Sequence, residues 1–175
     1  METPDVLGQA TADASVRPAT PADVPVIGAV QARAWRAAYR DVLPAAVVDA
    51  LDPGALAEAW RPAVATPPSP RHRVLVACAG PTVVGFAASD DTGELVALLV
   101  DPLHQRQGHG SRLLNAVVDL LREDGAGRLG AWAPVGDRPR LDFLVSAGLG
   151  PDGVRRVLEL PGGGTLEEAH LVASL

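Results

Sequence analysis

The clearest pattern of apolar and polar positions lies between Glu94 and Leu121. Glu94 to Val100 (ELVALLV) is a short run of branched apolar residues bounded by Thr92-Gly93 and Asp101-Pro102, which predicts a buried strand. Pro102 has no N–H and ends any ladder. From Ser111 the apolar positions Leu113, Leu114, Val117, Val118 and Leu121 recur at helical spacing, so a helix begins at or just before Ser111 and stops near Asp124-Gly125. Gly108-His109-Gly110 falls where strand gives way to helix.

The same reading extends along the chain. Met1 to Ser15 is small, polar and aperiodic, which predicts a disordered tail ahead of a single domain over residues 16–175. Val16 to Ala19 predicts a first strand. Thr20-Pro21-Ala22-Asp23 is a cap, a proline and a first-turn acid opening a helix to about Tyr39. Arg40 to Leu51 is ambiguous, with Pro44 able to open a further helical turn. Asp52-Pro53 starts a second long helix that ends before Pro67-Pro68. Val74–Ala79 and Thr82–Ala88 predict a hairpin across Gly80-Pro81. Beyond the Ser111 helix come a strand over Arg128–Val135, a short helix over Asp137–Ala147, and a closing pair of strands, Arg155–Leu160 and Ala169–Leu175, separated by Pro161-Gly162-Gly163-Gly164.

A helix start leaves backbone N–H groups unpaired and carries roughly half a positive charge, so an anion settles there when no Cβ blocks it. Gly108 and Gly110 remove those Cβ atoms, and Arg106, His109 and Arg112 add positive or potentially positive character that suits a pyrophosphate. Glycines before a helix also serve simply as turns. Neither the Walker nor the dinucleotide fingerprint is present.

What the stretch does contain is Gln105-x-x-Gly108-x-Gly110, preceded by a strand ending Val100-x-Pro102. This resembles the acyl-coenzyme A binding motif of the GNAT superfamily of N-acetyltransferases. The order of elements from Val16 to Leu121 (strand, two helices, antiparallel meander, binding strand, helix) is similar as well. The resemblance implies an α/β (α+β) fold, with a mixed, mostly antiparallel sheet of about six to seven strands flanked by about four helices. It implies acetyl-CoA as cosubstrate and a primary amine as acceptor, a small molecule more readily than a protein N-terminus. The backbone of Leu98, Leu99 and Val100 would pair with the pantetheine arm. The N–H groups of Arg106, Gln107, Gly108, His109, Gly110 and Ser111, with Gln105 ahead of them, would hold the pyrophosphate. Asp137 stands where family members carry a cofactor-side asparagine. Dimers are common among such proteins, which leaves a homodimer open.

Composition narrows partners more than fold. At 175 residues and 47% hydrophobic the chain fits one domain with a sizeable core. No apolar run is long enough to span a membrane and METPDVLGQATADAS lacks the features of a signal peptide, so the expectation is a soluble cytoplasmic protein. A net charge of −6 argues against nucleic acid. Cys78, the one cysteine, excludes an internal disulfide and reads as core. The histidines lack metal-ligand spacing.

Acetyl transfer to an amine needs a base for the ammonium proton, donors for the oxyanion and an exit for the thiolate. Glu94 begins the binding strand, where several superfamily members carry a base; strict alternation puts it on one face with Val96, Leu98 and Val100. The competing reading is a solvated carboxylate at a strand mouth. Trp35, Tyr39 and Trp60 fit either an acceptor pocket or, more readily, the core. His170, in the last strand, is expected to face solvent. Family members often read N-x-x-A-x-x-[FY]-Y-x-x-x-G-F near the C-terminus, whereas here Asp137 replaces the asparagine and Leu144 the tyrosine that serves as general acid. That loss opens a second reading, a catalytically weak acyl-CoA-binding sensor or interaction module.

Overall fold

The computed structural model describes residues 14–41, 43–160 and 164–175. The tail predicted over Met1 to Ser15 lies, up to residue 13, outside the described residues, as do residues 161–163 of the glycine-rich connection. Ala14 and Ser15 belong instead to the first strand, β1 (Ala14–Pro18), because it pairs antiparallel with β2 (Arg73–Ala79) from Ala14↔Ala79 to Pro18↔Leu75.

Three helices follow β1. They are α1 (Val24–Tyr39), α2 (Ala45–Asp49, opened by Pro44) and α3 (Pro53–Ala65), whose N-cap Asp52 accepts a hydrogen bond from Ala55 N at 2.7 Å. After β2 come β3 (Thr82–Ser89), β4 (Glu94–Val100), α4 (His109–Glu123), β5 (Arg128–Pro134), α5 (Arg138–Ser146), β6 (Gly150–Glu159) and β7 (Thr165–Ser174). The seven strands form one sheet in the order β1-β2-β3-β4-β5-β7-β6, antiparallel throughout except where β4 meets β5. This is the expected α/β architecture, with α2 as a fifth, short helix.

The sheet's pleat divides the core in two. Leu75, Ala77 and Val84 turn toward Leu113, Leu114, Val117 and Leu121 of α4. Val74, Val76 and Phe86 turn the other way, toward Ile27 and Val30 of α1 and Trp60 of α3. Trp60 packs edge-on against Phe86 and donates its indole N–H to Gln31 at 2.6 Å, which settles it as core rather than pocket. The two faces are unequal farther along, since α1 and α3 pack over β2 to β4. Among the described residues no helix is long and apolar enough to cross a membrane.

Both closing strands are longer than their patterns predict. Pro151-Asp152-Gly153 reads locally as a turn, yet β6 continues through it as a bulge, with Pro151 opposite Leu171 and Arg155 opposite Ala169.

Candidate active site

The site begins with a parting of strands. β4 and β5 pair only at Glu94↔Gly130 and Leu95↔Ala131. Directly after, β4 carries a bulge: Ala88 of β3 pairs with Ala97 and Ser89 with Leu95, so Val96 is skipped and left 59% exposed. A bulge bends its strand and strengthens its twist, and the stretches Leu98–Val100 and Trp132–Pro134 run on without pairing to each other. Arg140 reaches across the gap, donating from Nη1 to Leu98 O (3.2 Å) and from Nε to Trp132 O (3.3 Å). Both carbonyls therefore offer hydrogen-bonding capacity to the split.

The bulge also overturns the expected side-chain alternation. Leu95, Leu98 and Val100 lie on the α4 side and Ala97 and Leu99 on the α1 side. Glu94, one residue before Leu95, thus points away from α4 and shares no face with Leu98 and Val100.

At the far end of β4 the chain turns through Pro102–His104 into α4. Asp101, nearly buried, accepts from Leu103 N at 3.0 Å and pairs with Arg33 of α1 at 2.6 Å, tying the strand end to the helix across the sheet. Gln105 Nε2 donates to Val100 O at 3.2 Å, closing the turn. Arg106 has φ 59° and Gly108 φ 83°, two left-handed residues within three. Such backbone turns successive N–H groups toward a common side, as in anion-binding nests. Gly108 is the N-cap and supplies no capping side chain, so the first-turn donors of α4 keep their free valence. A Cβ on Gly110 would stand 3.7–3.8 Å from Phe143 of α5 and Leu98 of β4, so the helix start lies beside the split.

Side chains around the turn take roles different from those their charges imply. Arg106, Gln107 and Ser111 are exposed, while His109 is buried and held below the usual histidine range, mainly by burial and then by Arg112 and His104. Its ring is thus withdrawn from the surface, and the exposed positive charge at the turn is that of Arg106 and Arg112. Asp137 caps α5, accepting from Arg140 N at 3.1 Å and from the Tyr39 hydroxyl at 3.3 Å, so both carboxylate oxygens have partners. Leu144 is 1% exposed within the core, and the Ser146 hydroxyl donates to Phe143 O. Neither supplies the hydroxyl that the tyrosine would have.

On the face away from α4, groups distant in sequence converge. The side chain of Glu94 crosses β5 above Gly130, where any Cβ would overlap its carboxylate, and reaches His170 of β7: Nε2 lies 3.1 and 3.2 Å from its two oxygens. His170 Nδ1 lies 2.7 Å from Asp152, delivered by the β6 bulge. Val154 N–H, at 2.9 Å, and His170 hold the Asp152 carboxyl below its usual range. Arg128 Nη2 sits 3.2 Å from Glu94 Oε1. The imidazole is 6% exposed and rests against Trp132, ring centroids 4.6 Å apart, while Arg156 lies over the same indole at 4.2 Å and pairs with Glu168 at 2.6 Å. The expectation that His170 faces solvent is therefore corrected: the ladder pairs it with Trp132 and the bulge covers it with Asp152. Toward α1, Trp35 and Tyr39 are half-buried with their rings edge to face at 6.5 Å. Burial, and then the nearby Asp137 carboxylate, pushes the Tyr39 hydroxyl up to about 12.

The residues predicted from sequence thus fall in four places: Glu94 at the closed end of the split, Leu98 to Val100 along its edge, Gln105 to Ser111 at its open end, and Asp137 across at the start of α5. Sequence reasoning missed Arg140, His170 as a buried partner, and Asp152. The first had a usable signal, since Arg140 stands at the alanine of the family pattern.

No curated protein matches the chain by sequence. Solved structures match its fold. The PaiA N-acetyltransferase from Thermoplasma acidophilum, in complex with coenzyme A, has TM-score 0.76 and 15% identity over 93% of this chain and 99% of that one. A GCN5-related N-acetyltransferase from Rhodopseudomonas palustris has TM-score 0.73 and 20% identity over 92% and 95%. A putative acetyltransferase from Salmonella typhimurium, with its cofactor acetyl-CoA, has TM-score 0.63 and 21% identity over 93% and 94%. The model of the acetyltransferase (GNAT) family matches residues 33–148, which takes in the strand split, the glycine turn and the start of α5, and the chain belongs to that family.

Proposed function

We propose that this protein transfers an acetyl group from acetyl-CoA to the primary amine of a small molecule, by direct attack of the amine on the thioester. The observation that carries the reading is the placement of the split between β4 and β5, with a main-chain anion cradle at its open end and Glu94 at its closed end. The donor fits this split in two respects. The unmet N–H groups of residues 106–111 suit a pyrophosphate, and the backbone of Leu98 to Val100 is free along β5 to pair with an amide-bearing arm. Gly110, with no Cβ, keeps the passage beside Phe143 open. Arg140 gives up its bond to Leu98 O when that backbone pairs with the arm.

Within this reading Glu94 takes the ammonium proton, and the neutral amine attacks the thioester carbon. Backbone N–H groups at the Val96 bulge, turned out of the ladder, supply donors for the oxyanion. The thiolate needs little help to depart, because a thiol has a pKa near ~8.5. Losing a general acid costs such an enzyme about 10²- to 10⁴-fold without abolishing it. Trp35, Tyr39 and Trp132 border the acceptor side, and the chain from Ala14 onward works as one domain.

Leu144, sealed in the core, favours a second reading in which the same fold binds acyl-CoA as a sensor or interaction module. Calorimetry with acetyl-CoA and thiol release with a panel of primary amines separate them. Binding with turnover that collapses in Glu94→Gln supports the enzyme, and binding without turnover supports the module. An absence of binding at millimolar acetyl-CoA would sink both.

A further inference from the structure

Four strands cooperate to make one contact line of which acetyl transfer, as described so far, uses only Glu94. Asp152 on β6, His170 on β7 and Glu94 on β4 are joined by contacts of 2.7 and 3.1 Å, and β5 passes beneath at Gly130, whose missing Cβ leaves room for the Glu94 carboxylate to cross. Local sequence rules oppose the arrangement. A bulge with Gly153 at φ 88° interrupts the β6 ladder to bring Asp152 onto the ring, and a glycine weakens the interior of β5. The groups facing the imidazole are Glu94, Asp152 and the Trp132 indole; Arg128 faces Glu94, and Arg156 with Glu168 lies beyond the indole.

The contact geometry has a proton requirement. Nδ1 lies 2.7 Å from the Asp152 carboxylate, which can only accept, so a proton on Nδ1 is held there and the ring is oriented with Nε2 toward Glu94. Nε2 faces the Glu94 carboxylate at 3.1 Å, close enough that a proton taken up by either group is shared between them. Without that proton a lone pair confronts an anionic oxygen.

We infer that His170, oriented by Asp152, is a positioning residue that makes Glu94 and His170 one proton-accepting unit for the acceptor amine. This rests on the transferase reading above and deepens it. The balance is simple: an N–H bond of the substrate ammonium breaks, its proton passes to Glu94 and is shared with Nε2, and the freed nitrogen lone pair forms the bond to the thioester carbon. The C–S bond breaks with its electron pair on sulfur, the acylated nitrogen gives up its second N–H proton through water to the departing thiolate, and the pair later releases its proton to water.

The test uses the full chain with acetyl-CoA and an amine that the wild type acetylates. His170→Gln is expected to lower kcat/KM for the amine about 10²-fold, within the range for lost acid–base help, and to move the midpoint of its pH profile. Asp152→Asn is expected to lose about tenfold with the profile moved less. The acetyl-CoA Kd and the melting temperature stay near wild type. Millimolar imidazole is expected to restore part of the activity of His170→Ala, with the restored rate following the fraction of imidazole in its neutral form, which mere refilling of a cavity would not require. An active wild type whose His170→Gln and Asp152→Asn variants keep its rate and pH midpoint overturns the inference alone. Losses that track cofactor affinity or melting temperature, with no imidazole rescue, also overturn it. A wild type that binds acetyl-CoA and acetylates no amine overturns the transferase reading together with this one.

Discussion

The two ends of the β4–β5 split are built by different means. The cradle at its open end is one continuous stretch, Val100 to Ser111, whose working parts are main-chain N–H groups placed by two left-handed residues and a helix start. The face at its closed end is assembled from Glu94, Arg128, Asp152 and His170, on four strands, and its working parts are side chains. A main-chain site tolerates exchange of side chains and resists change of backbone conformation. A side-chain site does the reverse, and substitutions can separate the two.

The largest separation is expected from Gly130→Ala. A Cβ there overlaps the Glu94 carboxylate, which is the far end of a flexible side chain, so Glu94 swings off His170 at small cost to the fold. Acetylation of an amine is expected to fall about 10²-fold or more, the range for a lost base, while calorimetry shows an unchanged acetyl-CoA Kd. A Kd that moves with the rate would mean that the two ends are not independent.

Gly108→Ala is the converse. The residue sits at φ 83°, and an added Cβ meets Arg112 Nη1 at 3.0 Å. The left-handed conformation costs an L-residue about 1–2 kcal/mol, so acetyl-CoA affinity is expected to drop about tenfold. Turnover at saturating cofactor stays within about twofold of wild type. Calorimetry and initial rates at high acetyl-CoA check the two halves of this statement.

The difference between the ends also explains what could be read from sequence. The cradle was legible because strand, Pro102, Gly108 and the helix stripe are consecutive, and local rules act on consecutive residues. The closed end was not, because the link between residue 94 and residue 170 exists only through the strand order β4-β5-β7-β6. His170 was expected in solvent on its strand position alone. Glu94 was placed on the wrong face because one skipped residue, Val96, reverses every side chain before it, and nothing in ELVALLV marks a bulge. Asp152 was lost because Pro151-Asp152-Gly153 carries turn chemistry that the pairing with β7 overrides. Four helices and seven strands follow from pattern, α2 falls in a stretch that pattern leaves ambiguous, and β1, β6 and β7 start earlier than pattern predicts because of partners distant in the chain.

Acid pH would blur the comparison, and the corner between β1 and α1 says where. Asp23 is held at about 2, below its ordinary 3.8, chiefly by the Arg17 guanidinium at 2.7 Å and also by the Thr20 backbone. A depressed folded-state pKa contributes stability that is complete above the unfolded value and is lost as pH falls from about 4 toward 2. With Arg17 43% exposed the contribution is screened, to about 1–2 kcal/mol. Asp23→Asn is expected to melt below wild type at pH 7, with the gap closing through that window in acid melts. Activity lost well above pH 4 is then assigned to the closed end and not to unfolding.

The smallest effect is the most direct probe of the cradle, at Arg106. Its side chain is exposed and its backbone, at φ 59°, is one that favours glycine. Arg106→Ala removes the cation and keeps the strain, and an exposed charge near a phosphate is worth only about 0.3–1 kcal/mol at low salt. Acetyl-CoA affinity is expected to weaken about two- to fivefold, less in high salt. Arg106→Gly removes the same cation and relieves the left-handed strain, at the cost of a more flexible unfolded chain. Its affinity is expected to equal that of Arg106→Ala, and its melting temperature to be at least as high. If glycine instead bound acetyl-CoA distinctly worse than alanine, the preset backbone at residue 106 would matter more than its charge, and the cradle would depend on rigidity as well as on free N–H groups.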